Sequence, residues 1–253
     1  MIARLNKNLL FTLLVTLYFL FSYYIFDGWW YSSIGSILII FLSSLIWGKG
    51  FLKQIGLQLN LLTIAKAIIL ATIVTTCALL VMRYIGNMSN IRIDYTNWRN
   101  YYHDIFYILN EEIVIGAILL FAIVNKWKVK PIVACLLLAV FFSLIHFIFY
   151  RWIFLERGII GIPTLITLFL VGFARNSLIL LTGHIGYSWA LHFGWMVIMF
   201  GSMHTNVKTN LGVSETERFN LYLGSTEMLI ISIIMAGIFL AYWIKKHMPQ
   251  HAE

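Results

Sequence analysis

Eight stretches of this 253-residue chain are apolar and long enough to cross a lipid bilayer: about 8–26, 32–48, 62–83, 104–125, 131–150, 158–181, 184–202 and 224–244. In hydrocarbon a backbone must satisfy its own N–H and C=O groups, so runs of this kind fold as helices. The expected fold class is therefore all-α, a polytopic membrane bundle of about eight transmembrane helices, with residues 1–253 forming one membrane domain. Composition supports the same reading. Hydrophobic residues make up 61% of the chain and charged residues 11%, against about a quarter charged in soluble proteins. Pro131 and Pro163 each fall in the first turn of a run, where a missing N–H is harmless.

The first run follows Arg4 and Lys7, an order shared with secretory signals. It is nearly a full span, and Asp27-Gly-Trp-Trp-Tyr is no small-residue cleavage site, so it reads as a retained helix. Cys77 and Cys135 lie inside apolar runs and read as small core residues, without disulfide or metal. Eight spans place both termini on one side. That side holds the Lys126-x-Lys128-x-Lys130 loop, whose shortness makes it the strongest orientation signal, so both termini are expected to be cytoplasmic. The net charge of +8 then serves contact with anionic lipid rather than nucleic acid.

Within the fourth run stand two adjacent acids, Glu111 and Glu112. A carboxylate at membrane depth costs at least about 2.5–3.5 kcal/mol on insertion scales, so the pair implies a polar cavity with a task. On an inward-running helix it lies roughly 10–13 Å below the outer end, at 1.5 Å per residue. Two further runs carry His146 and His192, at depths compatible with one cavity in the outer half of the membrane. Glutamate and histidine together can activate a water and stabilise an oxyanion, as peptide hydrolysis demands. Adjacent helical residues point about 100° apart, so both glutamates are not expected to face one spot. Glu111 is assigned to the water and Glu112 to its orientation.

Glu111-Glu112-Ile-Val-Ile-Gly116-Ala117, Phe142-Ser-Leu-Ile-His146, and Thr182-Gly183 followed by His192-Phe-Gly-Trp resemble, in order and spacing, the three motifs of the CAAX-protease and bacteriocin-processing family. The resemblance covers about residues 104–202. It implies a glutamate-type intramembrane endopeptidase, with Glu111, Glu112, His146 and His192 as catalytic residues and Phe142, Arg175 and Asn110 in support. Its implied partners are the bilayer and a membrane-associated protein or peptide cut near a C-terminal segment. The implied setting is a bacterial inner membrane, and no cofactor is implied. Glu with two His is a legitimate zinc set and stands as the alternative, though no His-Glu-x-x-His helix is present. The run Arg175-Asn176-Ser177 and His184 depart from the family's common form and point to a distinct branch, such as sorting-signal proteases acting on JDVT-type tails.

Two family positions are changed. Gly116 replaces an arginine, and Met196 an asparagine four residues after the last histidine. Both favour the rival reading of a catalytically inactive relative acting as membrane scaffold or immunity factor. Arg175 is expected either to enter the space left by Gly116 and pair with Glu112, or to snorkel to the headgroups; Arg151 is the other cation near a motif. Asn110 reads as a glutamate's hydrogen-bond partner or as inter-helix glue, and His184 as a solvated helix end. The glutamates themselves have a purely structural reading, paired with Arg175. A transporter with a Glu–His proton relay is a third class, disfavoured by the lack of inverted repeats.

The orientation is open to direct test. Single cysteines at Ser89 and Thr209, in a chain lacking Cys77 and Cys135, should react with an impermeant maleimide in intact cells; labelling only after lysis inverts the topology.

Overall fold

The computed structural model describes residues 6–24, 29–48, 50–58, 60–88, 108–149, 160–201 and 222–247. Arg151, His103, His204, His251 and most of the segments 84–103 and 203–223 lie outside the described residues. Within them the chain is helical throughout: α1 (Asn6–Tyr24), α2 (Trp29–Trp47), α3 (Phe51–Gln54), α4 (Leu61–Met88), α5 (Ile108–Lys126), α6 (Pro131–Phe149), α7 (Ile162–Thr182), α8 (Ile185–Gly201) and α9 (Thr226–His247). That makes nine helices among the described residues rather than eight. The addition is α3, a single turn after Gly48 and Gly50, both with positive φ, and ended by Gly56 with φ +72°. Those three positions suit glycine because an L side chain is strained there.

Four helices, α4, α5, α7 and α9, are long and apolar enough to cross a membrane among the described residues, consistent with an integral membrane protein. They are not equivalent. Only 17% of the apolar window of α4 is buried, against 67% for α5. Helix α4 turns Leu61, Leu62, Ile68, Ile69, Ile73 and Leu80 outward, an apolar surface that suits a lipid environment better than water. Cys77 lies on its exposed side and so is not a core residue, whereas Cys135 of α6 is buried as expected.

Helix α5 sits among α2, α6, α7 and α8. Ile113, Val114, Ala117, Ile118 and Phe121 pack it into the cluster that holds α1 and α2. Around this centre α4 runs along α8, while α6 and α9 flank α7. The α4–α8 contact depends on Gly194. A Cβ there would lie 2.8 Å from the Ala71 carbonyl oxygen and 2.8 Å from the Val74 Cβ. Small residues permit such backbone approach, which drives helix pairing where no hydrophobic force separates lipid from protein.

Replacing Gly194 by valine should therefore lower the melting temperature in detergent, at a cost of about 1–3 kcal/mol for overpacking. Gly237→Ala on α9 is the control, because a Cβ there meets nothing within 4 Å. It should leave the protein as stable as before or stabilise it by roughly 0.5–1 kcal/mol. Equal melting of the two variants would contradict close packing at Gly194.

Candidate functional site

The site begins where α5 changes pitch. Through Glu111 the backbone is an ordinary α-helix. From Glu112 to Leu119, and again from Ala122 to Lys126, it widens into π-helical turns with i→i+5 bonding. Such turns are rare and concentrate at functional positions. Glu112 is fully buried, and the Glu111 side chain is 13% exposed.

Arg175 of α7, 1% exposed, meets both acids. Its Nη1 lies 3.4 Å from Glu112 Oε1 and 3.7 Å from Glu111 Oε1. The guanidinium carbon sits 4.2 Å from the centroid of the Phe142 ring, a cation–π contact in a dry setting. Two expectations are corrected here. The glutamates do converge on one group: both Oε1 atoms approach the same guanidinium nitrogen, because long side chains can turn toward one another after leaving the backbone in different directions. Nor does Arg175 enter a space beside Gly116. That space is taken by Ile179, whose Cδ1 would lie 2.9 Å from an added Cβ, and by Glu112 Oε2 at 3.2 Å. Burial also rules out snorkelling to the headgroups.

Glu112 is held at both oxygens. Its Oε1 accepts from His192 Nδ1 at 2.9 Å, and its Oε2 accepts from the Ser188 hydroxyl at 2.5 Å. Ser188 and His192 are one turn apart on α8, hence on one face, and together they clasp a carboxylate delivered by α5. On α6, His146 Nδ1 donates to the Phe142 carbonyl at 2.6 Å. A carbonyl or carboxylate oxygen can only accept, so in both histidines Nδ1 carries a hydrogen; in a neutral ring Nε2 is then the acceptor. Phe142 fixes both rings edge-on, with centroids 4.8 Å from His146 and 5.8 Å from His192. Gly172 of α7 makes this possible, since a Cβ there would strike the Phe142 ring at 2.9 Å.

The two histidines line a cavity of about 10 Å³ with Phe142, Leu168, Val171, Trp195, Met196 and Leu223. That is close to the space one water needs. Glu112 stands behind His192. Glu111 is tied to this neighbourhood through Arg175, which packs over the Phe142 ring.

The structure thus brings together Glu111, Glu112, Phe142, His146, Arg175 and His192, from four helices. Asn110 goes elsewhere. Its Oδ1 accepts from Tyr18 of α1, at 2.7 Å, and from Ser36 of α2, so it serves as inter-helix glue. His184 is a partly exposed helix end, as expected, and it is also bound there: Nε2 donates to the Gln58 carbonyl at 2.7 Å, and Nδ1 accepts from the Gly186 N–H at 2.8 Å. It latches the segment after α3 to the start of α8. Ser188 escaped the sequence reading, though its place four residues before His192 was the available signal. Among the described residues no three His, Cys, Asp or Glu side chains are grouped to hold a metal ion.

No family model, curated protein or solved structure matches the chain.

Removing Arg175 should strand two carboxylates. Arg175→Ala is expected to cost about 3–5 kcal/mol, as for one partner taken from a buried ion pair. Melting of the purified variant in detergent measures it, and an unchanged midpoint would mean that the two acids do not depend on Arg175.

Proposed function

We propose that this protein is an intramembrane endopeptidase of the CAAX-protease and bacteriocin-processing type, which hydrolyses a peptide bond near a membrane-associated segment of a protein substrate. The observation that carries the reading is the water-sized cavity between His146 and His192, each ring with its Nδ1 committed to an oxygen. A water there can give one hydrogen to the His192 Nε2 and turn the other toward Glu111, which leaves its oxygen lone pairs for a carbonyl carbon. The proton lost on attack goes to Glu111. Its Oε1 is buried without a hydrogen-bond partner among the described residues, a suitable state for a general base. That proton then passes to the amine nitrogen as the C–N bond breaks. Glu112 is occupied by Ser188, His192 and Arg175, which makes it the orienting acid.

In this reading all eight long helices span the bilayer, with both termini cytoplasmic and the site in the outer half of a bacterial inner membrane. The substrate reaches the site from the lipid, carrying an apolar C-terminal segment of the sorting-signal kind. One observation favours an inactive relative acting as scaffold or immunity factor: Met196 supplies an apolar wall to the cavity where the family has a polar side chain.

Glu111→Gln separates the two, being nearly isosteric and unable to take a proton. It should abolish cleavage of quenched-fluorescent peptides bearing apolar C-terminal tails, while melting and membrane insertion stay normal. Chelators should leave the wild type active. Stoichiometric zinc that vanishes in His146→Ala and His192→Ala would instead establish a metalloprotease, and wild-type cleavage by Glu111→Gln would remove that residue from the chemistry.

A further inference from the structure

Acyl transfer through a tetrahedral intermediate needs a donor where the carbonyl oxygen becomes negative. Such a donor is worth most when it is fixed in a site that excludes water. Of the eight side chains that line the cavity, Phe142, Leu168, Val171, Met196 and Leu223 have no hydrogen to donate. His146 and His192 commit their Nδ1 hydrogens to the Phe142 carbonyl and to Glu112, and a neutral imidazole has no second hydrogen to donate. The eighth is Trp195.

Trp195 is 8% exposed, and its Nε1 is buried with no hydrogen-bond partner among the described residues. An indole nitrogen can only donate. A buried donor left unpaired loses its hydrogen bond to water without replacement, and such groups in folded proteins call for an explanation, catalysis among them. The ring itself is well held. It packs in the cluster that contains Met82, Phe142, Leu168 and Met228, with its centroid 6.0 Å from that of Tyr222. It lies three residues after His192, so both side chains leave neighbouring faces of α8.

We infer that Trp195 is a catalytic residue whose Nε1–H donates to the oxyanion formed when water adds to the scissile carbonyl. This rests on the proteolytic reading above and gives it the donor that Met196 cannot supply. The chemistry balances without a further reactant. The water oxygen bonds to the carbonyl carbon, and the C=O π pair moves to oxygen and accepts from the indole N–H. The pair returns to restore the C=O as the C–N bond breaks, with the water's proton on the departing nitrogen.

Three replacements test the role. Trp195→Phe keeps an aromatic ring and removes the N–H, and benzothienylalanine at the same position keeps the indole shape as well. Both should lower kcat for the quenched-fluorescent peptides on the order of a hundred- to thousandfold, with KM changed little. If Trp195→Phe fails to fold, the isosteric analogue decides alone. Met196→Asn, which adds a second donor to the same wall, should restore part of the rate lost in Trp195→Phe. In parallel, a phosphinic peptide of apolar residues, a tetrahedral mimic, is added to ¹⁵N-tryptophan-labelled wild type in detergent. The Trp195 indole N–H resonance should move downfield. An inactive wild type that still shows the shift would fault the proteolytic reading and support the donor. Normal kcat in the benzothienylalanine protein, or an indole resonance that the phosphinic peptide leaves in place, overturns the assignment.

Discussion

A single buried cation organises this protein's interior. Arg175 lies between Glu111, Glu112 and the face of Phe142, with almost no surface of its own. In hydrocarbon any one of these charges would be intolerable alone. Together they require α5, α6 and α7 to meet at one level, since a shift of either ionised partner leaves a charge unpaired. Apolar contacts alone would tolerate sliding; the ion pairs do not, and neither do the bonds from Tyr18 and Ser36 to Asn110. Taking one partner from such a buried set is what costs most, because it leaves the other charge uncompensated.

The neighbours of Arg175 extend that constraint. Arg175, Asn176 and Ser177 are consecutive, and successive helical residues project about 100° apart, so the three polar groups reach different helices. Arg175 turns to α5. The Asn176 Nδ2 donates to the Cys135 carbonyl of α6 at 3.2 Å, and Ser177 Oγ accepts from Trp243 of α9 at 3.0 Å. One turn of α7 is thus tied in three directions. The wide turns of α5 and the Ser188–His192 clasp of α8 close the fourth.

Much of this was legible in the sequence for physical reasons. Long apolar runs mark helices because lipid leaves the backbone no alternative, and Pro131 and Pro163 mark where two of them begin. Glu111, Glu112, His146, Arg175 and His192 stood out because polar groups in such runs are costly. The same cost explains why they are found together. What stayed hidden depends on geometry that one-dimensional spacing does not carry. The 100° rule separated the two glutamates because it fixes the directions in which side chains leave the backbone, not where two long side chains end. Gly116 looked like an opening for Arg175, yet Ile179 of another helix fills it. Ser188 was overlooked because a serine in a membrane helix is unremarkable until its partner is known. Asn110 and His184 were recognisable as polar, but their partners lie on α1, on α2 and after α3, far away in sequence.

The seam between α4 and α8 joins two environments. One side of α4 faces outward along most of its length, while its other side rests on the backbone at Gly194, two residues from His192. No cushion of side chains separates them: the Ala71 carbonyl and the Val74 side chain already occupy the room a methyl group would need. The closeness of α4 and α8 at this seam therefore helps fix where α8 holds His192, the ring that shares the water-sized cavity with His146.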